Sequence, residues 1–496
     1  MSEMANAQLS EAPIRHSDRF FIGGEWVAPS SDATIDVIDS TTEEHYFSVP
    51  EAMPADMDRA VAAARKAFDS GPWPRLSHAE RADHMRSLAR ELRARGEAVA
   101  QIWPRETGVL HGRAIGAAEA ASNTFDYYAG LADTFPFEEE KTPTTGGGFG
   151  LLLREPVGVV GAIIPWNGPL SLIGYKVGPA LIAGCTIVLK SSPEAPGEAY
   201  LVAEAAEAAG LPPGVLNVVT ADREVSELLV TDPRIDKITF TGSTAAGRRI
   251  ASLCGERIAR CTLELGGKSA AVILDDADIA AAASNIAASE CMLTGQVCAS
   301  LTRLVVTRRR HDEFVDALVE SFGAKVVGDP FDAATEIGPL AAERQRDRVQ
   351  GYIDKGREEG AKLVAGGGRP AGLSRGWFVE PTVFAEVDNS ATIAREEIFG
   401  PVLSVIPAAD EADAIRKAND SIYGLNASVF TEDPERAREV ATALRSGTVG
   451  HNAFRVDFGI AFGGFKQSGI GREGGEEGLR PYLETKTVIL EGAPSL

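Results

Sequence analysis

The sequence predicts an α/β protein built on a doubly wound parallel sheet, and three observations carry that reading. Across residues 157–255, short apolar runs alternate with longer helical stretches, as expected of strands joined by crossover helices. A second alternating series runs over residues 270–452. The chain, at 496 residues, is also too long for one small core and has room for roughly three domain-sized units.

In chain order, residues 57–67 and 79–98 read as amphipathic surface helices with solvated charged faces. Thr142-Pro143-Thr144-Thr145-Gly146-Gly147-Gly148 is rich in turn formers and leads to Leu151-Leu152-Leu153. Residues 157–164 and 186–189 read as buried strands, followed by helices at 170–183 and 198–209. Residues 215–219 and 237–241 continue the strands, and the second series holds a strand at 302–307 and a helix at 312–322. A doubly wound sheet takes ligands beyond the carboxyl ends of its strands. Asn167, Lys190 and Ser243 each follow closely on a predicted strand or close it.

Composition narrows the function. The 44% hydrophobic and 24% charged content is that of an ordinary globular protein. A net charge of -22 repels phosphate backbones, which argues against nucleic acid or an anionic membrane as partner. Residues 1–15 hold no apolar signal core, and no apolar run is long enough to span a bilayer, so a cytoplasmic location is expected. Five cysteines, an odd number without C-x-x-C spacing, do not suggest a disulfide framework. With no H-x-x-x-H pair either, no metal site is expected.

Three segments carry chemistry. Leu263-Glu264-Leu265-Gly266-Gly267-Lys268-Ser269 sets a carboxylate between apolar residues and glycines, which suits a general base. Gly295-Gln296-Val297-Cys298 sets a thiol after a flexible turn, which suits a nucleophile. Ile163-Ile164-Pro165-Trp166-Asn167 ends an apolar run on a primary amide able to hydrogen-bond an oxyanion. Other apparent motifs fail. Gly469-Ile470-Gly471-Arg472-Glu473-Gly474 has too little chain after it for a βαβ unit, and Gly267-Lys268-Ser269 is half a P-loop because Thr262 replaces its first glycine. No G-x-S-x-G occurs.

At the three segments the chain resembles the aldehyde dehydrogenase superfamily, and further signatures follow in order. Phe21-Ile22-Gly23-Gly24-Glu25-Trp26 is similar to its opening strand. Lys190, Phe240-Thr241-Gly242-Ser243, Glu396-Glu397-Ile398-Phe399-Gly400-Pro401 and Phe462-Gly463-Gly464-Phe465-Lys466-Gln467-Ser468-Gly469 stand where the family has its own. The likeness extends over all but residues 1–15. It implies oxidation of an aldehyde to the carboxylic acid with NAD(P)+ and without coenzyme A. Cys298 would form a thiohemiacetal and then a thioacyl intermediate, Asn167 would serve the oxyanion hole, and Glu264 would activate the hydrolytic water. Glu473 and Lys176 match a family carboxylate and lysine near the water path. Two other readings, a binding protein that has lost the reaction and a thioester hydrolase, are opposed by the intact Cys298, Asn167 and Glu264 and by the cofactor residues.

The resemblance also implies an architecture and partners. Residues 16–135 and 156–266 would form an NAD(P)-binding domain, 267–466 an α/β catalytic domain, and 136–155 with 480–496 a small β oligomerisation element. A homodimer or homotetramer is implied. The cofactor set would be Ile163, Pro165, Trp166, Lys190, Glu194, Phe240, Gly242, Ser243, Glu397 and Phe399. Where many members carry a glutamate after the ribose lysine, this chain has Pro193 with Glu194 next, so NAD is expected and NADP stays open. Ala221 and Ser226 stand where glycines are common. Gly168 replaces a usual aromatic, which predicts a wider substrate tunnel lined further by Tyr175, Phe454, Phe458 and Phe462. Arg455 falls at the tunnel mouth, facing solvent or a substrate carboxylate.

Overall fold

Two large sheets organise the chain in the computed structural model, which describes residues 12–494. The first has eight strands in the order Gly469–Ile470, Arg260–Glu264, Lys237–Thr241, Val159–Ile163, Thr186–Ser191, Leu216–Thr220, Phe20–Ile22 and Glu25–Val27. The five central strands are parallel, and the edges are antiparallel. Four of the five are buried along their whole length, which is why the sequence shows them as continuous apolar runs.

Helices cover both faces of this sheet. On one side, Pro169–Ala183, Gly197–Ala208, His78–Arg93 and Ala117–Thr134 contribute Ile173, Val177, Leu201, Met85, Leu88 and Phe125 to one core. On the other, Pro54–Ser70, Arg223–Thr231 and Thr244–Arg257 contribute Met57, Val61, Leu229, Ile250 and Leu253. Crossovers through these helices leave all five parallel strands pointing the same way. Register then aligns their ends: Ile163 lies opposite Lys190 on one side and Phe240 on the other, and Thr241 lies opposite Glu264.

The second sheet has seven strands, in the order Lys362–Ala365, Thr382–Ala385, Val402–Ala408, Arg303–Thr307, Ala270–Ile273, Asn426–Phe430 and Thr448–His451. All but the first run parallel. A third, antiparallel sheet joins Leu483–Leu490, Phe149–Pro156 and Glu138–Lys141, with Leu483 opposite Pro156 and Leu490 opposite Phe149. It gathers the segments expected to form the oligomerisation element. Residues 495–496 of that expected element, and residues 1–11 of the stretch read as holding no signal core, lie outside the described residues. No helix among the described residues is long and apolar enough to cross a membrane.

Three expectations are corrected at the N-terminal helices. Residues 79–98 do not form one helix: they divide into His78–Arg93 and Gly96–Thr107. The first starts at a capping box, with Ser77 Oγ accepting from Glu80 N and Glu80 Oε2 accepting from Ser77 N. It breaks at Ala94-Arg95, where Gly96 withdraws helix propensity. The apolar period runs on through Val99 and Ile102, so the sequence pattern hides the break. Nor is every charge on these helices solvated. Arg81 is buried, and its guanidinium donates to the carbonyls of Ile182 at 3.1 Å and Leu76 at 2.8 Å. The other helix is longer than expected, Pro54–Ser70, because Pro54 takes the first position, where its missing N–H costs nothing.

Candidate active site

The site is assembled where strand ends of the first sheet meet loops of the second. The Val159–Ile163 strand runs out through Pro165-Trp166-Asn167, and the Pro169–Ala183 helix begins beyond Gly168. Asn167 Nδ2 donates to the backbone carbonyl of Gln296 at 2.9 Å, which ties the amide to the loop that carries Cys298. That loop is wound tightly. Leu293, Thr294 and Gly295 all have positive φ, and a Cβ on Gly295 would stand 2.5 Å from the Gly400 carbonyl carbon. Only glycine fits there.

Gln296 is fully buried and clamps the turn. Its Nε2 donates to Leu293 O at 2.9 Å, and its Oε1 accepts from Ala341 N at 3.0 Å. On the far side, Gly267 packs against the carbonyl oxygen of Cys298, so the Glu264 and Cys298 segments touch backbone to backbone. The sequence motif gives Gln296 no role. Its position just ahead of the thiol was the signal that could have given it one.

Cys298 is half-buried, in an apolar cluster with Phe454, Phe458 and Phe462. Its thiol is pushed up to about 12 by burial and by the carboxylates of Glu397 and Glu264, against which backbone N–H groups of Ala299 and Cys298 act. Cys298 follows the helical turn Met292–Gly295 and starts no helix, so no helix N-terminus opposes that shift.

Glu264 closes the Arg260–Glu264 strand at 2% exposure, and neither carboxylate oxygen has a partner. Burial, reinforced by the Glu473 carboxylate, holds its carboxyl well above the usual range, and Lys176 and Arg472 oppose the shift. Lys176 and Glu473 form an ion pair at 0% and 1% side-chain exposure, in which Lys176 Nζ donates to Glu473 Oε1. Lys176 is on the helix after Asn167, and Glu473 is held by paired backbone bonds with Phe462. An unpartnered carboxylate, a partnered one and a lysine therefore converge from three distant stretches of chain.

The residues suited to a dinucleotide lie along the same strand ends. Ser243 caps the Thr244–Arg257 helix, its Oγ accepting from Ala246 N at 3.3 Å, and leaves that helix N-terminus open toward solvent as an anion site. Gly242 presses on the Phe240 ring, where a Cβ would stand 2.5 Å from Cζ. Lys190, 7% exposed at the end of its strand, is lowered to about 8 by burial. Glu397 accepts from Gly267 N at 3.1 Å, and burial raises it to about 7. Trp166 and Phe399 meet edge to face at 5.4 Å. Ile163 closes its strand between Phe240 and Lys190, and Pro165 follows two residues on. Glu194 stands apart from the expectation: its carboxylate is held by the Ser192 hydroxyl and the Arg344 guanidinium.

The expected tunnel residues form an aromatic wall. Tyr175 stacks on Phe458 at 4.0 Å, and Phe458 stacks on Phe462 at 4.3 Å. Gly168 faces open space, with no atom within 4 Å of where a Cβ would lie. Arg455 is exposed. Lys268 went unassigned in the sequence reading; it is buried, its Nζ has no partner, and burial lowers it to about 7. Among the described residues one group has metal-ligand spacing, His311, Asp312 and Glu386. Arg308 takes both Glu386 oxygens at 2.7 and 2.8 Å, which makes this an ion-pair cluster.

Comparison with known proteins agrees with this geometry. The profile of the Aldehyde dehydrogenase family matches residues 26–488. A geranial dehydrogenase from Castellaniella defragrans is 46% identical over 477 residues, covering 95% of this chain and 98% of the relative. The crystal structure of a Mycobacterium tuberculosis aldehyde dehydrogenase complexed with NAD+ superposes with a TM-score of 0.93 at 47% identity, covering 97% of this chain and 99% of that one. A mutant aldehyde dehydrogenase C from Pseudomonas syringae, solved with NAD+ and octanal, gives a TM-score of 0.92 at 40% identity, covering 97% and 99%.

Proposed function

The chain belongs to the aldehyde dehydrogenase family, and we propose that it oxidises an apolar aldehyde bulkier than acetaldehyde to its carboxylic acid with NAD+. One observation carries the reading: Cys298 lies in an aromatic-lined cluster, with its loop bonded to Asn167 and backed by the segment of the buried, unpartnered Glu264.

In this reading the Cys298 thiolate attacks the aldehyde carbon, forming a C–S bond and moving an electron pair onto the carbonyl oxygen. Asn167 spends one amide hydrogen on Gln296 and has the other for that oxyanion, beside the Cys298 backbone N–H. NAD+, when bound, supplies the hydride acceptor that turns the thiohemiacetal into a thioester. Glu264 then takes a proton from water as the water oxygen attacks the thioacyl carbon and the C–S bond breaks. A carboxyl raised by burial suits this proton transfer near neutral pH. The buried Lys176–Glu473 ion pair acts on the Glu264 carboxyl with both signs, Glu473 raising it and Lys176 lowering it.

Substrate class follows from the wall. Three stacked rings offer an apolar surface, two of them in one cluster with Cys298, and Gly168 leaves open space after Asn167. The geranial and octanal of the related proteins have this apolar character. The test compares kcat/KM for a branched apolar aldehyde and for acetaldehyde, in wild type and Gly168→Phe. Wild type should favour the larger substrate. The variant should lose about tenfold to 200-fold on it and little on acetaldehyde. An equal loss on both would show that Gly168 does not set the tunnel width.

A further inference from the structure

Resting on the dehydrogenase reading, we infer that the cofactor site accepts NADP+ as well as NAD+, and that Arg344 reads the 2′-phosphate by exchanging its ion pair with Glu194. In doubly wound folds an acidic residue near the second strand accepts the ribose 2′-hydroxyl, whereas a nearby arginine accommodates a 2′-phosphate. Here both kinds of residue meet at one point. Glu194 follows the Thr186–Ser191 strand that carries Lys190, and Arg344 is in the first turn of the Glu343–Glu358 helix. They form an ion pair across a separation of 150 residues.

The pairing disarms Glu194 as a ribose acceptor. Its Oε2 accepts from Ser192 Oγ, and its Oε1 accepts from Arg344 Nη2. Pro193 offers no carboxylate in its place. Arg344, in contrast, has freedom to move, with its side chain 59% exposed against 18% for Glu194. A guanidinium on a monoanionic carboxylate can pass to a phosphate dianion that offers more charge and the same two-pronged geometry. Glu194 would keep its Ser192 bond through the exchange. Lys190, at the end of the same strand, adds a second cation, while Asp222 at the neighbouring strand end adds a carboxylate.

The charge balance gives opposite signs for the two partners. Without Arg344, Glu194 faces a 2′-phosphate as a bare anion. Without the Glu194 charge, Arg344 is free from the start. NAD+, which presents only a hydroxyl, has little stake in either.

Titration calorimetry of the full-length protein with NAD+ and with NADP+, no aldehyde present, tests this directly. Wild type should bind both. Arg344→Gln should weaken NADP+ on the order of tenfold to a hundredfold and leave NAD+ within about threefold, the scale of one charge-assisted contact. Arg344→Lys should recover part of the loss, and Glu194→Gln should tighten NADP+. Binding of NAD+ alone by wild type, or an equal loss of both nucleotides in Arg344→Gln, would overturn the role of Arg344 and leave the dehydrogenase reading standing. Binding of neither nucleotide by wild type would remove the dehydrogenase reading and this inference together.

Discussion

Replacing Glu264 with glutamine separates the two halves of the proposed reaction. The substitution is nearly isosteric and leaves the Cys298 loop and Asn167 in place, but the amide cannot take a proton from water. Hydride should still be delivered once, so rapid mixing with aldehyde and NAD+ should give a burst of one reduced nucleotide per chain. Turnover after the burst should fall by about 10²–10⁴, the usual worth of a positioned general base. The structure adds a second, independent readout. Glu264 is held above the ordinary carboxylate range by burial and by Glu473, so the folded state binds more protons than the unfolded state once pH exceeds about 4.3. Wild-type stability is therefore present at low pH and declines as pH rises through the raised folded value. Glutamine does not titrate, so Glu264→Gln should gain on wild type over that window by up to about 1.4 kcal/mol per pH unit. The ascending limb of the steady-state pH profile, which needs ionised Glu264, should vanish with it. Loss of the burst in a folded, nucleotide-binding variant would move Glu264 to an earlier step. An unchanged ascending limb would deny it the role of base.

Other substitutions test the neighbouring assignments. Cys298→Ala should abolish oxidation with nucleotide binding retained; in wild type, alkylation of the thiol should climb about tenfold per pH unit toward the value near 12, because the thiolate reacts, and a pH-independent rate would refute that environment. Asn167→Ala should lower kcat by about 10²–10³, and an effect confined to KM would make the amide a substrate-binding group. Lys176→Met strands a buried Glu473, so it should destabilise the fold by about 3–5 kcal/mol in denaturant titrations and shift the ascending pH limb upward as Glu264 loses its nearby cation; a neutral effect on both would mean the pair is dispensable.

Much of this fold was legible because the parallel strands are buried on both faces and so appear as unbroken apolar runs, and because Asn167, Lys190, Ser243 and Glu264 lie at or just beyond strand ends. The break at Ala94-Arg95 was not legible, since the apolar period continues across it and only Gly96 marks the change. Local pattern also fails where a partner is remote. Nothing near Arg81 announces that the carbonyl of Ile182 will receive its guanidinium, and nothing near Glu194 announces Arg344. The environment of Cys298 depends on Glu264 and Glu397, which come from elsewhere in the chain, so its pKa could be placed only once the fold had brought those carboxylates to it.

The contrast between two glycines bears on how such an enzyme can be re-engineered. Gly267 has the Cys298 carbonyl where a side chain would go, whereas Gly168 has nothing within 4 Å. Mutational libraries aimed at the first will return mostly misassembled protein, because any added carbon pushes directly on the backbone carbonyl of Cys298. Libraries aimed at the second vary only the shape presented to the incoming molecule. On the proposed function, selection for new aldehydes can therefore proceed through position 168 while the packing of Gly267 on the Cys298 loop stays untouched, so that recognition is tunable apart from the backbone that seats the thiol.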